Sequence, residues 1–72
     1  MTKAEFLEKL QDIFETDIEL TEDMALNDLE EWDSLSMMAV MAFLNKSLSI
    51  HLLPDEVKKI TTIGDLVKKA GL

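Results

Sequence analysis

The run Leu35-Ser36-Met37-Met38-Ala39-Val40-Met41-Ala42-Phe43-Leu44 constrains this chain more than any other stretch. It contains no charge, glycine or proline, is rich in the good helix formers Leu, Met and Ala, and is apolar on nearly every side of a helical period. A helix of that kind is either enclosed by protein or shows one face to something outside the domain. The chain has only 72 residues, and a domain of that size buries only roughly 60% of the surface its unfolded chain exposes. It cannot enclose a helix completely. The expectation is one all-α domain over residues 1–72, with Val40, Phe43 and Leu44 in the core and other members of the run exposed. Methionine, flexible and polarisable, suits an adaptable contact surface.

The remaining helices are marked by their ends. Thr2 and Glu5 form a capping-box pattern, followed by Phe6, Leu7, Leu10, Ile13 and Phe14 along one helical stripe, which predicts a helix from about residue 3 to 15. The apolar helix is expected from Asp33 or Ser34 to about Lys46. Ser47 to Pro54 then reads as a connector, with Leu48, Ile50 and Leu52 alternating inward and the lone His51 facing out. Pro54 and the acids Asp55 and Glu56 suit the first turn of a short third helix ending near Ile60. Thr61 or Thr62 caps a fourth helix, with Asp65 completing a box from Thr62. Ile63, Leu66, Val67 and Ala70 form its inner stripe, Lys68 and Lys69 lie at its negative end, and Gly71 is its stop. The sum is a small four-helix bundle, with three main helices, one short one and a long first loop. No repeat, low-complexity segment or domain boundary is evident.

That loop, Glu15 to Trp32, has no clean period. A loop this long inside a small domain needs anchors, and Leu26 and Leu29 are the expected ones. Nine of the 15 acids lie between Glu15 and Asp33, whereas Lys58, Lys59, Lys68 and Lys69 sit near the other end. The net charge of −8 argues against nucleic acid as a partner, because phosphates would be repelled. The spaced ligands and glycine of an EF-hand loop are missing, so the acids read as a solvated face, and no metal site is assigned. Trp32, just before the apolar helix, is expected to pack on its start like a staple.

No cysteine is present, so any thiol chemistry must come from an attached group. The longest apolar run is far shorter than the ~20 residues a membrane helix needs. The N-terminal residues lack the apolar core of a signal peptide, so a cytoplasmic protein without membrane insertion is expected. His51 has no nucleophile context such as GxSxG, and no catalytic residue is assigned.

The junction at Asp33-Ser34 carries the functional reading. Asp33 is a good N-cap, able to accept backbone N–H groups of the first turn. Ser34 then occupies the first helical position at the positive end of the helix dipole, where a phosphate would be stabilised. Trp32-Asp33-Ser34-Leu35 resembles the Asp-Ser-Leu attachment motif of acyl carrier proteins. A second stretch, Lys59-Ile60-Thr61-Thr62-Ile63-Gly64-Asp65-Leu66, is similar to that family's approach to its last helix, and together the resemblance spans nearly the whole chain.

The resemblance implies that Ser34 carries 4'-phosphopantetheine, placed there from coenzyme A by a magnesium-dependent phosphopantetheinyl transferase. The arm would hold acyl intermediates as thioesters for loading, synthase or acyltransferase enzymes, in fatty acid, polyketide or a dedicated pathway. It also implies a monomer that is not itself an enzyme. Asp33 would cap the helix and belong to the attachment motif, and Ser36 lies too deep in the helix to be the attachment site. Partner contact is expected from Leu35, Met38 and Ala42 on the helix and from Glu30 and Glu31 before it. The surplus of apolar residues in the helix would also shelter a chain between helices. One departure matters: no Asp or Glu occurs between Ser34 and Pro54, where typical carriers place acids for basic partners. Partners here would rely more on apolar contact. An aminoacyl or peptidyl carrier, or an unmodified docking module using the Met-rich helix, are the alternative readings.

Overall fold

The computed structural model describes all residues, 1–72, as four helices and no strand: α1 (Lys3–Phe14), α2 (Ser34–Leu48), α3 (Pro54–Lys58) and α4 (Ile63–Lys69). None is long and apolar enough to cross a membrane. The helices begin as their caps dictate. Thr2 Oγ1 accepts from Glu5 N while Glu5 Oε1 accepts from Thr2 N. Thr62 and Asp65 reciprocate in the same way at α4. At α3, Pro54 takes the first helical position and Glu56 Oε1 accepts from Leu53 N.

Fourteen buried apolar side chains from all four helices and the first loop form one core. Phe6, Leu10 and Phe14 of α1 and Val40 and Leu44 of α2 share this core with Ile63, Leu66 and Val67 of α4 and with Ala70 at its end. Phe43, half-buried, lies 5.8 Å from Phe6 between ring centroids. Helix α2 is thus enclosed on one side only, as the size of the chain requires.

Two boundaries differ from the sequence reading. Helix α2 runs through Ser47 and Leu48, and the connector is only residues 49–53. Ser49 closes it in a left-handed conformation (φ 57°), with Ser49 N bonding Asn45 O and Ile50 N reaching back to Leu44 O. Glu15 (φ 52°) ends α1 in the same way. These closures normally use glycine. Neither site has one, so no glycine marks either end; the stripe alone places the end of α1, and the end of α2 goes unmarked. Leu48 and Ile50 both pack on the core, one as the last helical residue and the other just past the turn. The third helix also ends at Lys58 rather than Ile60.

The first loop is ordered by backbone pairing. Leu26 N donates to Thr61 O (2.8 Å), Ile63 N to Met24 O (2.9 Å) and Gly64 N to Glu22 O (2.8 Å), around an antiparallel bridge between Ala25 and Thr62. The first donors of a helix have no partner within it. At α4 the loop carbonyls supply partners for the first two, and Thr62 supplies the next two through its side chain and carbonyl. Leu26, in a short 3-10 turn, is fully buried; Leu20 is also buried and Leu29 half-buried, whereas Ile18 stays exposed.

Gly64 makes this seam possible. A Cβ built there would lie 2.9 Å from Glu22 O, a backbone atom. Gly64→Ala should therefore push the loop off α4 and cost about 1–3 kcal/mol. Urea unfolding would show it, and a midpoint unchanged from wild type would mean that the loop yields freely.

Asp65 adds a pH dependence at the same place. Thr61 Oγ1 donates to Asp65 Oδ2 at 2.7 Å, and this bond, the largest contributor, with the Thr62 amide holds the carboxyl below its ordinary 3.8. The ionised form is the one bonded in the fold. Its contribution is present above the unfolded pKa and is lost as pH falls through the lowered folded value. Asp65→Asn should thus lower the thermal midpoint more at pH 7 than at pH 2. An equal drop at both would assign the effect to packing.

Candidate functional site

The entry to α2 is built from a reciprocal cap. Asp33 Oδ1 accepts from Ser36 N at 2.9 Å, and Ser36 Oγ accepts from Asp33 N at 2.8 Å while donating to Asp33 O at 3.1 Å. Ser36 is buried by this arrangement, with 8% of its surface exposed. The sequence signal for it was the Asp-x-x-Ser spacing, a box whose third-turn-position partner is serine instead of the usual Glu or Gln. Trp32 packs edge-on against Phe14, ring centroids 5.9 Å apart and planes at 85°. The ring contact is thus with the end of α1 rather than the expected one with the first turn of α2, and it holds the residue before the cap against α1.

Ser34 occupies the first helical position and is exposed. Its hydroxyl makes no hydrogen bond within the chain. Its own N–H and that of Leu35 also have no intrachain partner, since the cap serves Ser36 N and Met37 N. At α4 the corresponding donors are closed by the first loop. Helix α1 starts openly too, but with Lys3 at that position. An exposed hydroxyl beside two open amides, on a 15-residue helix, is a place where an anionic group attached to the serine would be stabilised. No base touches the hydroxyl to activate it.

Along one side of Ser34 runs a cleft of about 360 Å³, walled by Met37, Met38 and Met41 of α2 and by Pro54, Val57 and Lys58 of α3. On α2 these positions are i, i+3, i+4 and i+7 from Ser34, one face of the helix. Leu35 belongs to the other flank, where it shares a shallow cleft with Glu31, Asp33 and Ala39. Of the residues expected at a partner surface, Leu35 (78% exposed), Met38 (65%), Ala42 and Glu30 are exposed and Glu31 is half-exposed. Met38 borders the Ser34 cleft and Leu35 the cleft on the other flank, so the exposed helix residues straddle the crest of α2 between the two.

The largest cleft, about 620 Å³, lies between α3 and α4 among Lys59, Lys68 and Lys69, with Glu56 and Asp65 already used as helix caps. No hydroxyl, imidazole or thiol lines it. His51 is exposed in the connector. No three acidic or histidine side chains come together in a group that could hold a metal ion. No family model, curated protein or solved structure matches the chain.

Proposed function

We propose that the chain is an acyl carrier protein, modified at Ser34 by 4'-phosphopantetheine. The observation that carries this reading is the state of Ser34: an exposed, unbonded hydroxyl at the first position of α2, beside the open amides of Ser34 and Leu35, within the order Asp33-Ser34-Leu35. In the modification, the Ser34 Oγ–phosphorus bond forms as the diphosphate of coenzyme A breaks. Adenosine 3',5'-bisphosphate leaves, and the hydroxyl proton passes to a base of the transferase. The bound arm supplies a terminal thiol that a cysteine-free chain lacks.

The chain's own residues do the holding. Asp33 fixes the first turn so that Ser34 projects outward, and the helix dipole and open amides favour the phosphate. The cleft beside Ser34 is apolar apart from Lys58 and the serine itself, which suits an alkyl cargo better than an aminoacyl one. Leu35, Met38 and Ala42, with Glu30 and Glu31, are the contacts offered to partner enzymes. The exposed apolar face of α2 also supports a second reading, an unmodified docking module.

Intact mass separates them. Incubation with coenzyme A, magnesium and a broad-specificity phosphopantetheinyl transferase should add one phosphopantetheine to the folded protein. No gain with several transferases would leave the docking module as the better reading.

A further inference from the structure

Helix α2 advances about 100° per residue, which divides it into three sectors. Ser36, Val40 and Leu44 are buried. Ser34, Met37, Met38 and Met41 border the cleft towards α3. Leu35, Met38, Ala39 and Ala42 fall within an arc of about 100° and are all exposed. Nothing in the domain covers this outer stripe, which stands opposite the buried one.

The stripe is complementary to itself. If a second copy is laid antiparallel about a two-fold axis between residues 38 and 39, Leu35 of each copy faces Ala42 of the other, and Met38 faces Ala39. Each large side chain meets a small one, so the helices can approach closely. The ends agree. Glu31 lies before the cap, in the cleft it shares with Leu35 and Ala39, and Lys46 lies in the last turn. The same axis brings Glu31 of each copy to the end that carries Lys46 of the other. A parallel arrangement would instead set Leu35 on Leu35 and Glu31 on Glu31, with the helix dipoles aligned unfavourably. An isologous contact requires this kind of self-complementarity in both size and charge.

We infer that the outer stripe of α2 is a self-association surface, occupied by a second copy of this chain in antiparallel register. Four side chains per copy fall well short of the ~800 Å² per partner of a standard interface, and two chains of net charge −8 repel. The dimer is therefore weak, with a dissociation constant on the order of 0.1–1 mM. At low concentration the chain is monomeric. At high local concentration, pairing covers Leu35 and Ala42, the same residues offered to partner enzymes. The inference does not rest on Ser34 carrying an arm, and the unmodified chain is the one to test.

Sedimentation equilibrium in about 0.15 M salt, where the screening length is about 8 Å, reads it directly. Over about 10 µM to 2 mM, a range set to bracket that constant, the wild-type average mass should climb towards that of a dimer. Leu35→Glu, Glu31→Lys and Lys46→Glu should each remain monomeric, with helical content confirming that they fold. The Glu31→Lys/Lys46→Glu double variant restores both pairs within a symmetric dimer and should associate again. An equimolar mixture of the two single reversals should also associate, because every facing pair then has opposite signs. A wild-type monomer across the range would overturn the proposal, as would association indifferent to the single reversals or not rescued by the double one.

Discussion

On the proposed reading, replacing Ser34 by alanine should leave the chain folded and abolish the gain of phosphopantetheine mass. The side chain is exposed and its hydroxyl bonds to nothing within the protein, so its loss removes neither packing nor a satisfied polar group. Alanine is also the better helix former, and the change in stability should stay within about 0.5 kcal/mol. Ser36→Ala should do the reverse. Ser36 is buried, and its hydroxyl accepts from Asp33 N and donates to Asp33 O. Removing it breaks one half of the cap, at a cost of about 0.5–2 kcal/mol, while Ser34 remains modifiable. The two variants, followed by intact mass after transferase treatment and by thermal unfolding, therefore separate attachment from capping within the first turn of one helix. Mass gain by Ser34→Ala, or its loss only in Ser36→Ala, would refute the assignment of Ser34.

The helix starts were legible because their signals are chemical and local. Thr2 with Glu5, Asp33, Pro54, and Thr62 with Asp65 each announce a helix start from residue type and spacing alone, and the structure begins a helix at every one. The end of α1 followed from its stripe to within a residue, whereas that of α2 did not, because Ser49 closes the helix in a left-handed conformation that glycine usually adopts. Gly71 (φ 78°), the one ending marked by glycine, was readable. The buried stripe of α4 followed from periodicity. The order of the first loop did not, because it rests on backbone bonds to Thr61, Ile63 and Gly64 that no side-chain pattern encodes. Leu26 stood out as an anchor, yet Leu20 and Ile18 looked equivalent in sequence and end up buried and exposed respectively. At the site, the exposure of Ser34, Leu35, Met38 and Ala42 followed from an apolar helix too large for its domain to enclose. That Leu35 and Met38 border different clefts depends on where α3 and the end of α1 lie, which periodicity on α2 cannot supply.

Leu26→Ala should be among the most damaging single changes in the molecule. Leu26 is fully buried and stands where the first loop crosses the junction of α3 and α4. Its own amide bonds Thr61 O there, and the neighbouring Met24 and Glu22 carbonyls cap α4. Truncating a leucine in such a place removes its transfer free energy and leaves a cavity, at a cost of about 2–5 kcal/mol. A two-state domain of this length has roughly 4–11 kcal/mol in total, so the variant loses a large fraction of its stability. Ile18→Ala, in the same loop but 51% exposed, should change stability by no more than about 0.5 kcal/mol. Urea denaturation compares them, with the fall for Leu26→Ala carried by the midpoint rather than the slope. Because the loop leads directly into Trp32 and Asp33, its release also loosens the entry to α2. Leu26→Ala should then lose transferase acceptance at temperatures where it begins to unfold, while Ile18→Ala keeps it. Equal midpoints for the two variants would mean that the loop lies on the domain without helping to hold it together.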